Sequence, residues 1–175
     1  MRLVVVERSF EEPVTFDSVA DPFRRSPGCF EAHGVRYLKS YFARDRKRMI
    51  CLYEGPDTES VRRVQDKVKA PFVRAWPAQA IPFSSPEPSD GVVIVERELD
   101  PALDEAAIRA AAEDDTCRSQ WGCRLLGTYL SIDGRRCLCL YDAPDAESVR
   151  QVQKTGTLSY ERAWTSAVHE PPPRS

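Results

Sequence analysis

Two carboxylates, two tyrosines and two cysteines recur at matched places in this chain, and together they define its chemistry. Glu7 and Glu96 each sit in a Val-Glu-Arg triplet, and Cys51-Leu52-Tyr53 returns as Cys139-Leu140-Tyr141. A carboxylate shielded from water has a raised pKa, as a general acid or base working near neutrality requires. Glu7 and Glu96 are therefore the candidate catalytic bases, with a tyrosine or arginine to stabilise an enolate. The bland alternative is a structural ion pair copied by duplication, because buried charges persist only when paired. Tyr53, Tyr141, Cys51 and Cys139 are candidate ligand contacts. Arg36 and Arg124 are candidate balancing charges, and Trp76 and Trp164 are either rim packing or walls for an aromatic ligand.

Metal chemistry has weaker support. Cys137 and Cys139, two apart on a strand, project to one face, where Cys51 can complete a soft-metal site. C-x-C lacks the spacing of tetrahedral zinc sites, however, and buried free cysteine is usually a small apolar filler. His33 and His169 are the only histidines and are not repeat-equivalent. No metal ligand set and no cofactor is assigned, and a transition metal stays the lesser alternative. The sequence also lacks the nucleophile-elbow, Walker, zincin and dinucleotide-binding motifs, which sets those reaction classes aside.

These residues are positioned by a tandem repeat. The pattern C-L-Y-x-x-P-D-x-E-S-V-R-x-V-Q starts at Cys51 and again at Cys139, an offset of 88. The same offset relates Arg74-Ala75-Trp76 to Arg162-Ala163-Trp164, Tyr41 to Tyr129 and Cys29 to Cys117. Val6-Glu7-Arg8 matches Val95-Glu96-Arg97 at 89, one insertion apart. The expected domains are repeat 1 over residues 1–76, a proline-rich linker over 77–91, repeat 2 over 92–168 and a loose tail over 169–175.

Each repeat reads β-α-β-β-α-β, the split ferredoxin-like unit. In copy two a β-run spans 92–97, and Asp104–Asp114 is alanine-rich helix. Strands over 124–131 and 136–141 flank an Asp133-Gly134 turn. Asp145 caps a second helix that Gly156 stops, and a short strand runs over 160–164. In copy one, Pro22 and Pro27 break or shorten the first helix. A lone unit leaves one sheet face uncovered, so the expected fold is α+β, two tandem units packed as an α/β-barrel pseudo-dimer. Aliphatic Ile50, Leu52, Leu138 and Leu140 are expected under the helices. Met49, Cys51 and Tyr53, with Cys137, Cys139 and Tyr141, are expected in the space between the sheets. The glutamates are expected inward, and Arg8 and Arg97 outward.

The repeated V-E-R, C-L-Y-x-x-P-D-x-E-S-V-R and R-A-W pattern resembles a bacterial family of small ferredoxin-like domains of unknown function, labelled nickel-binding-protein-like. The resemblance covers both repeats and implies an α/β-barrel dimer fold. It carries over Glu7, Glu96, Cys51, Cys139, Tyr53 and Tyr141 as motif positions. Many members have histidine in the helical run where this chain has Val64 and Val152.

The 175 residues carry a formal net charge of −2 with pI ≈ 5.8, so bulk charge gives no reason to bind nucleic acid or an anionic membrane. The N-terminal apolar run is too short for a signal peptide, and no run reaches a membrane span. A cytoplasmic setting with six free thiols is the expectation. The leading reading is a small-ligand-binding barrel with a cavity between the repeats, leaving homo-oligomerisation open. The alternatives are a cofactor-independent cyclase- or oxygenase-like enzyme on an aromatic or polyketide-like substrate, and a nickel-type metal binder.

Overall fold

A computed structural model describes residues 1–83, 91–113 and 116–171. It divides into two compact units, residues 1–78 with 167–175, and residues 79–166. Each unit thus takes one repeat and the strand end of the other. In the first, β1 (Arg2–Ser9) is followed by α1 (Phe16–Arg24), α2 (Pro27–Ala32), β2 (Arg36–Ala43), β3 (Arg48–Gly55), α3 (Thr58–Lys67) and β4 (Arg74–Pro82). Antiparallel pairing gives the order β4-β1-β3-β2, with Val6 opposite Cys51 and Glu7 opposite Ile50.

The second unit repeats the plan with β5 (Val92–Glu98), α4 (Glu105–Ala112), α5 (Thr116–Gln120), β6 (Arg124–Ser131), β7 (Arg136–Asp142), α6 (Ala146–Thr155) and β8 (Arg162–His169). Its order is β8-β5-β7-β6. Three helices start on an aspartate whose side chain accepts a backbone N–H of the first turn: Asp57 from Ser60, Asp104 from Ala107 and Asp145 from Ser148.

The strand order matches the sequence reading, but an extra short helix precedes the second strand in each unit, α2 in the first and α5 in the second. Pro22 lies inside α1, and Pro27 opens a separate helix at its first turn, where a missing N–H costs nothing. Residues 77–82, expected as linker, are the second half of β4; Ile81 is buried in the core of the second unit. The expected linker residues 84–90 lie outside the described residues. His169, expected in the tail, ends β8 and stacks on Phe16 with ring centroids 3.8 Å apart.

The face assignment of the third strands is corrected. Met49, Cys51 and Tyr53 pack with Val61 and Val64 of α3, under the helices of their own unit. Cys137, Cys139 and Tyr141 do the same with Val149 and Val152 of α6. Every residue from Met49 to Tyr53 is buried, so greater aliphatic character could not mark the helix-covered side. The arginines follow the cysteines. Arg8 and Arg97, expected to snorkel outward, are buried beneath the helices.

Candidate functional site

The first unit holds a partly open cavity of about 490 Å³ between β1-β3-β2 and the helices α1 and α2. Phe16, Phe23 and Phe30 form its helical wall, while Arg8, Cys51 and Tyr53 project into it from the sheet. Alternation explains the sheet side: Cys51 and Tyr53 are two apart, and Val6 and Arg8 share their face across the β1–β3 register. Tyr37 and Ser40 are three apart, which strict alternation would send to opposite faces. A bulge between Tyr37 and Lys39 restores them to one face, and both line the cavity.

Arg8 is 3% exposed. Its guanidinium donates to the Pro71 carbonyl at 2.5 Å, the Ala70 carbonyl at 3.4 Å and the Gln65 side-chain oxygen. Its Nε is buried without a partner, and its charge lies 5.6 Å from the centre of the Phe23 ring. Among the described residues no carboxylate pairs with it. Burial works against the charge, but Cys51 and Tyr53 beside it hold the guanidinium pKa above its ordinary value. Burial also pushes the Tyr53 phenol up, with Cys51 adding to the shift and Arg8 opposing it. Tyr37 is raised by burial to about 12, against a hydrogen bond with Ser40. Both phenols are therefore neutral donors near pH 7. The Tyr37 hydroxyl donates to the His169 carbonyl (2.9 Å), the Ser40 hydroxyl donates to the Cys51 sulfur (3.1 Å), and the two hydroxyls lie 3.0 Å apart.

The corresponding positions of the second unit hold different side chains. Arg118 of α5 replaces Phe30, Leu125 replaces Tyr37, and Cys137 replaces Met49. Arg118 is buried and donates to the Ala112 carbonyl at 2.5 Å. Arg97 repeats the clamp of Arg8, donating to the Leu158 and Ser159 carbonyls, both at 2.9 Å, and to Gln153. Cys137 and Cys139 have their sulfurs 4.0 Å apart. Hydrogen bonding from Cys137 lowers the Cys139 pKa, with Arg97 helping against burial, and raises that of Cys137 itself. Tyr141 is raised to about 12 by burial and Cys139, and its hydroxyl accepts from Gln153 at 3.2 Å.

The structure brings together Cys51 and Tyr53 at the cavity, and Cys139 and Tyr141 at its counterpart. The remaining candidates lie elsewhere. Glu7 is on the opposite face of β1, accepting from the Trp76 indole N–H at 2.6 Å and pairing with Arg74 at 3.3 Å. Glu96 accepts from Trp164 at 2.6 Å and pairs with Arg162 at 3.6 Å. Each glutamate thus holds a tryptophan at the start of its neighbouring strand. Arg36 and Arg124 pair at the surface with Glu54 (2.5 Å) and Asp142 (2.8 Å), away from the glutamates. Sequence reasoning missed Arg8, Tyr37, Ser40 and the three phenylalanines. The divergence between the copies around Phe30 and Arg118 was their one visible signal.

A ferredoxin-like sheet with a ligand-sized cavity under its helices defines the class of protein: an α+β fold made of two tandem units. The family profile described as nickel responsive protein SCO4226-like matches residues 5–77 and 94–165, once over each repeat. The chain belongs to that family. None of the curated proteins matches it. Among solved structures it is similar to a putative chlorite dismutase, at 14% identity and a TM-score of 0.50, covering 96% of this chain and 93% of that one. It is also similar to a mutant chlorite dismutase from Candidatus Nitrospira defluvii in complex with cyanide, at 10% identity and a TM-score of 0.53, covering 97% and 91%. At these identities the likeness shows the fold alone, that of the dimeric α+β-barrel class. Among the described residues no helix is long and apolar enough to cross a membrane.

Proposed function

We propose that this protein binds a small organic molecule in the cavity of its first unit. One observation carries the reading: a cavity of about 490 Å³ with aromatic walls onto which a few polar groups converge. Ligand sites are typically concave and largely apolar, with a small number of placed polar groups, and span roughly 300–1,000 Å³. Arg8, Ser40, Tyr37 and Cys51 supply donors and a thiol. The phenylalanines supply area that excludes water and strengthens each polar contact.

Nickel, which the family description invokes, does not fit the residues present. Cys51 is one thiol beside a buried guanidinium, and that cation repels a divalent ion. Val64 and Val152, both buried apolar side chains that cannot ligate a metal, occupy the helical run in which many resembling sequences have histidine. Among the described residues no three of His, Cys, Asp and Glu converge.

The test is saturable binding of the neutral, environment-sensitive probe N-phenyl-1-naphthylamine, followed by its fluorescence. Phe30→Arg places in the first unit the residue that the second unit carries at that position. The wild type should show one saturable site and Phe30→Arg should lose it, with circular dichroism unchanged. Undiminished binding by a folded Phe30→Arg would place the probe elsewhere and refute the reading.

A further inference from the structure

We infer that the ligand is a planar aromatic molecule bearing a single negative charge, its anionic group seated on Arg8 and its ring among Phe16, Phe23 and Phe30. The inference rests on the cavity reading above and specifies the ligand's chemistry. A buried cation is expensive unless paired, and the hydrogen-bond acceptors around Arg8 are two carbonyls and an amide, all neutral. Its Nε remains without an acceptor.

The second unit carries the same clamp in a different thiol environment. There the sulfurs of Cys137 and Cys139 lie 4.0 Å apart beside Arg97, whose Nε likewise lacks an acceptor. The first unit has Met49 in place of Cys137, and a thioether has no S–H to donate to Cys51. Arg8 thus has one thiol beside it where Arg97 has two, and among the described residues no carboxylate pairs with it where it lines the cavity.

The other ionic residues lining the cavity are already engaged. Arg24 pairs with Asp17 at 2.8 Å, and Glu170 pairs with Lys39 at 3.4 Å; Arg24 and Glu170 are both exposed. That leaves one cation for one anionic group, which selects a monoanion over a dicarboxylate. Arginine's planar fork suits a carboxylate, and charge-assisted bonds are roughly twice as strong as neutral ones. The ring requirement comes from the wall. Phe23 and Phe30 have centroids 5.7 Å apart, and Phe30 stacks toward Tyr53 at 6.2 Å, so flat aromatic faces surround the space beside the guanidinium.

Calorimetric titration of the full chain with 2-naphthoate, 2-naphthylmethanol and 2-naphthylmethylammonium varies the charge on a constant ring. The wild type should bind the carboxylate at least about tenfold more tightly than the alcohol, and the ammonium most weakly. Arg8→Met should bring the carboxylate to the level of the alcohol, whereas Arg97→Met should leave the preference intact. Equal affinity for carboxylate and alcohol in the wild type would overturn the inference while leaving the cavity reading standing. A preference that survives Arg8→Met would overturn it too. If Arg8→Met does not fold, Arg8→Lys serves instead: it keeps the charge but not the fork, and should reduce the preference without abolishing it. Failure of all three probes to bind would defeat the cavity reading and the inference together.

Discussion

Replacing Glu7 by glutamine separates the two faces of the first sheet. The change keeps the shape and the acceptor oxygen, so Trp76 retains a hydrogen bond, now to a neutral group. Bonds to charged groups contribute about 1.5–3 kcal/mol and neutral ones about 0.5–1.5, so this exchange costs about 1 kcal/mol. The Arg74 pair at 3.3 Å has a gross attraction of about 5 kcal/mol at an effective dielectric of 20. Arg74 is 38% exposed, however, and solvent and side-chain entropy reduce the net value to about 0.5–1 kcal/mol. Glu7→Gln should thus destabilise the protein by about 1.5–2 kcal/mol, read as a lowered urea midpoint at constant slope. Binding of N-phenyl-1-naphthylamine should stay within about twofold, because Glu7 projects from β1 on the face opposite Arg8. A variant of unchanged stability, or a tenfold loss of probe affinity, would refute this separation. The second result would restore Glu7 to the site.

The remaining predictions concern caps, turns and metal. The Asp57 and Asp145 carboxylates have lowered pKa values because they accept hydrogen bonds from Ser60 and Ser148. Their stabilisation is therefore complete above the ordinary carboxylate pKa and is lost as pH falls through the lower folded value. Asp57→Asn with Asp145→Asn keeps both caps and should flatten the acid limb of Tm against pH; an unchanged limb would exclude these groups as its source. Gly134 has φ +71°, and an added Cβ would lie 2.3 Å from the Leu103 carbonyl oxygen. Gly134→Ala should cost at least ~2 kcal/mol in denaturant unfolding, and a neutral result would show that the turn can reshape. Gly28 lies in α2, where a Cβ would meet nothing within 4 Å; Gly28→Ala should stabilise by about 0.4–1 kcal/mol, and a loss would contradict the helix. Nickel titration should give no stoichiometric heat, and a submicromolar site would refute the donor-set argument.

Much of the element order was legible because duplication showed key residues twice: Asp57 and Asp145 as caps, and Val-Glu-Arg as a strand. The first strands were harder. Alternation fixes that Glu7 and Arg8 face opposite ways, but it does not say which of the two goes under the helices. The answer depends on Arg8 reaching Gln65, Ala70 and Pro71, more than fifty residues away, for which no local pattern exists. Tyr37 and Ser40 were hidden for another reason. The bulge that puts them on one face is a pairing irregularity, and it carried no glycine or proline in the first copy to announce it. In the second copy Gly127 lies at the edge of the matching register shift, and a Cβ there would lie 3.2 Å from the Ile81 carbonyl.

The exchange of strand ends bears directly on why the repeats are joined in one chain. The first unit takes residues 167–171 of the last strand and its end, and these finish its cavity. The His169 ring stacks on Phe16, and its carbonyl holds the Tyr37 hydroxyl. Glu170, paired with Lys39, lines the cavity beside Pro171. The second unit in turn takes Ile81 into its core and receives the Phe83 N–H at the Leu126 carbonyl at 3.0 Å. Neither repeat is a complete unit by itself, so a single repeat would lack part of the wall that its own helices begin. Once the copies were covalently linked, they were free to diverge. One has Phe30, Tyr37 and Met49 around its clamped arginine, while the other has Arg118, Leu125 and a second thiol at those positions. A symmetric pair of identical subunits would have had to make each of those changes in both sites at once.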